Sequence, residues 1–209
     1  MLDAITWALG GAQFRDSTGL VATHVETGYQ WVLGLWECPL GQDDWQIPAE
    51  EVDDAVRAAF KRYDVWRMYA DPPYWQLWIA QWAGEFGEDK VIEWWTNRRR
   101  QMTYALEGFD TAIKDRTLLH SGDKELERHI GNSHRHDLPQ LDDEGKHLWL
   151  IRKERSDSPY KIDLAMSTIL SWEARTNGCW GACTLSISSG RKRTWLCRAT
   201  LSLESTCRS

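Results

Sequence analysis

The chain has 209 residues, a mass of 24.3 kDa and a net charge of −6. Its residues are 42% hydrophobic and 27% charged, which is typical of a globular protein and excludes global disorder. No apolar run approaches the roughly 20 residues that a membrane helix needs. The first residues include Asp3 and no basic segment, so we expect no signal peptide and a cytoplasmic protein.

Composition divides the chain after Thr176. From residue 177 onward there are five basic residues and one acidic residue, whereas residues 1–176 hold 20 basic and 30 acidic residues, a net charge of −10. The last segment is rich in Ser, Thr and Cys and lacks helical or strand periodicity. We therefore predict one domain over residues 1–176 and a disordered or adventitious tail over residues 177–209.

Short runs rich in Val, Thr, Leu and Trp open the chain and predict strands at 5–14, 19–25 and 29–37. The turns between them are short enough to make the strands antiparallel neighbours, in a meander. Later apolar runs predict strands at 65–70, 91–95 and 148–152. Helical spacing of apolar residues, with prolines and caps at several starts, predicts helices at 48–63, 73–86, 97–114, 123–132 and from Ser158 onward. This order predicts an α/β fold with a mixed sheet and helices on both faces.

Asp71 follows the fourth predicted strand and precedes two prolines. A residue before proline adopts extended geometry, so Asp71 should end the strand at the carboxyl edge of the sheet. Ligands bind at that edge in open α/β sheets, which makes Asp71 a candidate metal ligand or catalytic acid. The structural alternative, that Asp71 caps the following helix, stays open.

Asp163 falls in the first turns of the last predicted helix, beside apolar Ile162 and Met166. The helix dipole favours an acid there, and this is its purely structural interpretation. Two carboxylates that meet at one sheet edge would suit Mg²⁺ or Mn²⁺, which prefer oxygen ligands. Two such ions about 4 Å apart can activate water and stabilise the leaving oxygen in phosphodiester hydrolysis.

Four segments, YADPPYWQ, EWWTNRRRQM, HIGNSHR and LWLIRKERSDSPYKIDLAMSTILSWEAR, resemble the C-terminal nuclease domain of the tailed-bacteriophage terminase large subunit. The resemblance runs from about Leu9 to Arg175 and rests on the order and spacing of these segments. It implies an RNase H-like fold and divalent-metal-dependent cleavage of concatemeric double-stranded DNA during genome packaging in the host cytoplasm. It also implies that Asp71 and Asp163 are catalytic metal ligands in a two-metal Mg²⁺ or Mn²⁺ site. The implied partners are DNA, the terminase ATPase half, the small subunit and the portal.

The chain departs from this family at its first strand. The family places a further metal-binding Asp there, in a stretch resembling Phe-Asp-Gly, whereas this chain aligns Leu9, Gly10 and Gly11. Glycine has no side-chain oxygen. Asp16 lies on the next turn and could approach the site, but its displacement by six residues makes it a weak substitute as a metal ligand. We therefore expect an incomplete two-metal site and an impaired or inactive nuclease. The alternative is a non-catalytic packaging or interaction module on the same fold.

A second departure concerns the motor. The phosphate-binding motif Gly-x4-Gly-Lys-Ser/Thr does not occur in the 209 residues, so ATP-driven translocation is not assigned to this chain. The start at Met1 and the unusual tail suggest a fragment or a decayed reading frame.

Basic residues lie close in sequence to both acids and are candidate contacts to DNA phosphates: Arg98, Arg99, Arg100, Lys153 and Lys161. A solvated charged face is the alternative interpretation of such runs. The net charge of −10 over residues 1–176 predicts weak DNA binding by this domain alone, because affinity comes largely from neutralising phosphates.

The histidines and tryptophans leave further interpretations open. His129 could assist a metal-bound water or a phosphate, or be an ordinary surface or hydrogen-bonded imidazole. The 14 tryptophans raise the hypothesis of a carbohydrate-binding platform. The helical spacing of Trp75, Trp78 and Trp82 instead favours core packing.

Overall fold

The computed structural model describes residues 4–11, 17–39, 45–155 and 158–188, and for 4–11 and 178–188 it describes the backbone alone. This part of the chain contains eight strands: β1 (Ala4–Gly11), β2 (Ser17–His24), β3 (Tyr29–Glu37), β4 (Asp64–Ala70), β5 (Val91–Glu93), β6 (Leu119–His120), β7 (His134–Leu141) and β8 (His147–Arg152). It also contains five helices: α1 (Ala49–Arg62), α2 (Gln76–Phe86), α3 (Arg99–Lys114), α4 (Lys124–Gly131) and α5 (Asp163–Ser188).

Six of the strands form one mixed sheet in the order β5-β4-β1-β2-β3-β6. Near its middle, β1 pairs parallel with β4 and antiparallel with β2, so that Leu9 lies opposite Ala70 and Gly10 lies opposite Gly19. β2 and β3 are also antiparallel, which completes the predicted meander. The last residues of β4, β1 and β3 and the first residue of β2 therefore share one edge, which we call the carboxyl edge.

Helices cover both faces of this sheet, so the predicted mixed α/β architecture is confirmed. α1 and α2 pack on one face through buried residues that include Met68, Trp75 and Trp82. α3 and α5 pack on the other face through a cluster that includes Tyr69 and Leu170. Successive residues of a strand point to opposite faces, which is why Met68 and Tyr69 belong to different clusters. We call these the α2 face and the α5 face.

α5 lies directly on β2 at Gly19. A Cβ atom at this position would lie 2.6 Å from Leu164 Cδ2, so the close approach depends on glycine. Ser167 Oγ donates a hydrogen bond to the carbonyl oxygen of Gly19 at 2.9 Å. At the opposite edge of the sheet, Arg175 Nε donates to the carbonyl oxygen of Val25 at 2.7 Å. Hydrogen bonds thus attach α5 near both ends of β2.

Buried polar side chains line the contact between these two points. Thr23 Oγ1 and Ser171 Oγ lie 2.6 Å apart. Gln30 Nε2 donates to Thr23 Oγ1 at 2.9 Å and to the carbonyl oxygen of Thr168 at 3.0 Å. We call Thr23, Gln30, Ser167 and Ser171 the polar seam. Because hydrogen bonds are directional, the seam sets the position of α5 along the sheet.

The hairpin of β7 and β8 differs from the sequence prediction. A strand at 148–152 is correct, but its expected place in the main sheet is wrong, because β8 pairs with β7 in a separate two-stranded sheet. β7 itself was not expected, since it is mostly polar and contains Pro139, which cannot donate a hydrogen bond to a neighbouring strand. β6 was also not predicted, because a strand of only two residues has no recognisable periodicity.

The last helix differs from its prediction at both ends. It begins at Asp163 and not at Ser158, whose Oγ accepts a hydrogen bond from the Tyr160 N–H at 3.3 Å and so belongs to a turn. It continues to Ser188, beyond the boundary that composition predicts after Thr176. The remainder of the predicted tail, residues 189–209, lies outside the described residues. Among the helices described, none is both long and apolar enough to cross a membrane.

Candidate functional site

Asp71 lies directly after β4, at the carboxyl edge, where the sequence predicts it. It is two residues beyond Tyr69 and therefore continues the row of β4 residues on the α5 face. Thr96 holds its carboxylate with two hydrogen bonds, from the backbone N–H to Oδ1 at 3.2 Å and from Oγ1 to Oδ2 at 2.6 Å. Burial raises the pKa of Asp71, and these two hydrogen bonds only partly offset it. Within the described residues no side chain caps α2, so the capping interpretation of Asp71 gains no support.

Asp163 is the first residue of α5, and only 9% of its surface is exposed. Ser17 Oγ donates a hydrogen bond to Asp163 Oδ2. Ser17 is the first residue of β2 and therefore stands at the carboxyl edge. It is two residues before Gly19, which α5 covers, so the contact lies on the α5 face.

The sheet order brings these two acids to the same edge and the same face. Asp71 follows β4 and Asp163 lies over the start of β2, and a single strand, β1, lies between β4 and β2. Gly10, near the end of β1, is opposite Gly19 and shares its face. Position 10 therefore lies between the two acids, at the point where a third carboxylate could face both. Asp16 lies outside the described residues.

A cluster of charged residues adjoins Asp163 on the other side. Glu37 ends β3 opposite Ser17, and Arg128 Nη2 lies 2.5 Å from Glu37 Oε2 and 2.5 Å from Glu125 Oε2. Burial raises the pKa of Glu37, but the hydrogen bonds and charge of Arg128 outweigh it and lower that pKa. Sequence reasoning missed this cluster. The available signal was that the predicted third strand ends at Glu37, which places a carboxylate at the carboxyl edge.

His129 completes this cluster and is fully buried. Its Nδ1 accepts a hydrogen bond from the backbone N–H of Leu164 at 3.1 Å, and its Nε2 lies 3.4 Å from Glu37 Oε2. The acceptor role of Nδ1 requires a neutral imidazole, since an imidazolium has a proton on both nitrogens. Burial and the positive charge of Arg128 act in the same sense and lower the pKa of His129, against the opposing effect of Glu37. Of the two interpretations offered by the sequence, the contacts fit the hydrogen-bonded imidazole.

Glu37, Glu125 and His129 also resemble a metal site, since their ligand atoms lie within 4.8 Å of one another. Two observations argue against this use. The guanidinium of Arg128 already forms an ion pair with each of the two carboxylates. In addition, a neutral imidazole that accepts at Nδ1 carries its proton on Nε2, which leaves Nε2 no lone pair for a metal. The group is an ion-pair cluster. β5 also ends at the carboxyl edge, at Glu93, but this residue pairs with Ala70 and so lies on the α2 face. Among the described acids at this edge on the α5 face, Asp71 and Asp163 remain as candidate metal ligands.

The predicted DNA-binding residues fall into two groups. Arg98, Arg99 and Arg100 are exposed at the start of α3, just after Thr96, and so lie close to Asp71; Arg100 Nη1 is also 3.1 Å from Asp143 Oδ2. Lys153 is half-buried, and Lys161 is 8% exposed and engaged within the protein. The arginines are therefore better placed than the lysines to meet a phosphate.

Comparisons with known proteins point to phage proteins. No model of a protein family matches the chain. The chain is 28% identical over 182 residues to the Gene 13 protein of Mycobacterium phage L5, a match that covers 83% of this chain and 29% of that protein. The chain thus spans less than a third of the length of this relative.

Solved structures with a similar fold are large terminase nucleases. The large terminase nuclease from thermophilic phage G20c with bound magnesium aligns with a TM-score of 0.57 and 12% identity, over 82% of this chain and 84% of that chain. The large terminase from another thermophilic bacteriophage, in complex with ATP-gamma-S, aligns with a TM-score of 0.52 and 10% identity, over 82% of this chain and 40% of that chain. This chain therefore has the fold of the phage large terminase nuclease domain.

Proposed function

We propose that the chain is an RNase H-like nuclease domain of the terminase large subunit type, which cleaves double-stranded DNA by phosphodiester hydrolysis with reduced efficiency. The observation that carries this proposal is the juxtaposition of Asp71 and Asp163 at the carboxyl edge, on the α5 face, one strand apart. The nuclease fold and the phage relatives support it.

Asp71 and Asp163 fit a hard divalent cation such as Mg²⁺ or Mn²⁺, because both offer carboxylate oxygens. The hydrogen bonds from Thr96 and Ser17 orient the two carboxylates, and an ionised carboxylate has about four lone-pair sites with which to accept. A bound ion of this kind lowers the pKa of water and stabilises the charge that develops on phosphate oxygens. Exposed Arg98 and Arg99 provide positive charge next to Asp71, where a DNA phosphate would approach.

Gly10 is the reason for proposing reduced efficiency. Position 10 lies between the two acids, so a carboxylate there could contact ions on both sides, and glycine provides none. Without this carboxylate, the binding of both ions of a two-metal site is weakened.

The same observation favours a second candidate, a non-catalytic packaging module. A chain that keeps the fold without its central ligand could still bind DNA or protein partners. In either case we propose the host cytoplasm as its location, and DNA, the terminase ATPase half, the small subunit and the portal as partners. The net charge of −10 over residues 1–176 means that DNA binding depends on those partners to bring the substrate close.

Plasmid cleavage in Mn²⁺ tests the proposal. We expect slow cleavage by the chain, and faster cleavage by about 10–100-fold in Gly10→Asp, since even indirect disturbance of a metal ligand has effects of that size. Gly10→Asn is the matched control, because it adds a side chain of the same size without the charge.

Asp71→Asn and Asp163→Asn in the Gly10→Asp background should abolish cleavage. Equal and robust cleavage by the unsubstituted chain and Gly10→Asp would contradict the impairment. No cleavage in any variant, together with no Mn²⁺ binding by calorimetry, would favour the non-catalytic module.

A further inference from the structure

His129 contacts the helix that carries Asp163, at the point where that helix begins. The first N–H groups of a helix have no partner inside the helix and need an acceptor from elsewhere. Leu164, the second residue of α5, gives its N–H to Nδ1 of His129 at 3.1 Å. The buried imidazole therefore holds the backbone next to Asp163 through one directional bond.

We propose that His129 is a positioning residue for Asp163, and that it acts through a single tautomer in which Nδ1 accepts and Nε2 carries the proton. This inference rests on the proposed function of Asp163 as a metal ligand. An imidazole with its proton on Nδ1 would turn a donor towards the Leu164 N–H and break the contact.

Glu37 selects this tautomer from the other side of the ring. Glu37 Oε2 lies 3.4 Å from Nε2 and is an acceptor, so it favours a proton there. Arg128 Nη2 also lies 3.2 Å from this nitrogen, but as a donor it does not favour a proton on Nε2; its contribution is to hold Glu37 in place with a 2.5 Å ion pair. The second partner of a histidine often decides which of its nitrogens is free to accept, and this cluster performs that role.

Two further contacts of α4 hold the same turn. Asn132, the residue that ends α4, donates from Nδ2 to the carbonyl oxygen of Lys161 at 3.0 Å. Leu126 packs with Leu164 and Val21 in a small buried cluster. α4 and its C-cap residue therefore contact the backbone immediately before and after Asp163. Ser17, on β2, then orients the carboxylate itself.

Two substitutions separate the two sides of the imidazole. Asn places its amide oxygen where Nδ1 lies, so His129→Asn keeps the acceptor for Leu164 and loses the link to Glu37. Gln reaches the position of Nε2, so His129→Gln keeps a polar group near Glu37 and loses the acceptor. We expect Mn²⁺ affinity, measured by calorimetry, to stay within about 3-fold of the parent chain in His129→Asn and to fall about 10–100-fold in His129→Gln.

Amide hydrogen exchange of Leu164, followed by NMR, gives a readout that needs no metal. We expect it to be at least about tenfold faster in His129→Gln than in His129→Asn, while the two variants keep the same circular dichroism spectrum. Equal Mn²⁺ affinity and equal exchange in the two folded variants would overturn the proposal.

If neither the parent chain nor Gly10→Asp binds Mn²⁺, the proposed nuclease function fails, and the exchange rates still decide whether His129 positions the helix. Faster exchange of Leu164 in His129→Gln alone then supports the positioning role, and equal exchange refutes it.

Discussion

The two faces of the main sheet are built from different kinds of residue. On the α2 face, large apolar side chains such as Met68, Trp75 and Trp82 are fully buried. On the α5 face, the hydrogen bonds of the polar seam link α5 to the sheet, and apolar residues such as Leu170 pack beside the seam. Apolar contacts stabilise without fixing direction, whereas hydrogen bonds fix position. The face that carries Asp71 and Asp163 is the one where the polar seam provides directional contacts.

The largest expected effect is the loss of stability caused by a substitution on the α2 face. Trp82 is fully buried, and its Nε1 donates to Asp53 Oδ1 at 2.7 Å. Trp82→Ala should lower the free energy of unfolding by about 3–5 kcal/mol, because it opens a large cavity. Urea denaturation measures this loss. The Mn²⁺ affinity of the protein that remains folded should not change, and Trp82→Phe provides a milder control. A Trp82→Phe protein that is stable but has lost Mn²⁺ binding would contradict the division of roles between the faces.

An intermediate effect separates the start of α5 from a point further along this helix. A Cβ at Gly19 would meet Leu164 Cδ2 at 2.6 Å, and a Cβ at Gly28, which has a φ of 70°, would meet the carbonyl oxygen of Thr117 at 2.7 Å and Trp172 Cζ3 at 3.0 Å. Alanine at either position should destabilise the fold by about 1–3 kcal/mol, because both sites are already filled. Gly19→Ala alone should weaken Mn²⁺ binding, since only Gly19 contacts the first turn of α5, which carries Asp163. Equal Mn²⁺ affinity in the two variants, each compared at matched stability, would refute this distinction.

The smallest expected effect is that of Asp71→Asn, which should increase the stability of the protein and not decrease it. Burial raises the pKa of Asp71 in the folded state, so between the unfolded and folded pKa values the folded protein holds a proton that the unfolded chain has lost. Ionised Asp71 therefore destabilises the protein at neutral pH, and this penalty disappears as the pH falls through the folded pKa towards the unfolded one.

Asp71→Asn should thus raise Tm at pH 7; in a chain of this size each 1 kcal/mol of added stability shifts Tm by about 2–4 °C. The amide oxygen can still accept from the Thr96 N–H, and the amide nitrogen can donate to Thr96 Oγ1, which reverses the direction of the second hydrogen bond. Thermal unfolding at several pH values measures the effect, and the difference from the parent chain should shrink as the pH is lowered. A variant less stable than the parent at pH 7 would show that the ionised carboxylate is stabilised in place.

Local signals in the sequence predict much of the fold. β3 has the predicted bounds, Tyr29–Glu37, because its β-rich run is limited by a turn on one side and by Cys38-Pro39 on the other. Asp71 leaves β4 where the following proline requires extended backbone. These features depend on neighbouring residues along the chain, so the local sequence is sufficient to predict them.

Other features depend on contacts between distant residues and could not be predicted this way. The Arg128 bond to Glu37 joins residues 91 apart, and the His129 bond to Leu164 joins residues 35 apart. The start of α5 was misplaced because Ser158-Pro159 is a good local helix signal. The actual start, at Asp163, gains its stabilisation from Ser17 on β2 and from His129 on α4. Tertiary partners therefore overrode the local preference.

α5 connects opposite edges of the sheet without a break. From Asp163 to Arg175 it is about 18 Å long, at 1.5 Å per residue, and it continues beyond Arg175 to Ser188. A continuous helix behaves as a stiff rod, so rotation or translation imposed at one end is transmitted to the other. The candidate metal ligand is thus mechanically coupled to the part of α5 beyond the opposite edge of the sheet.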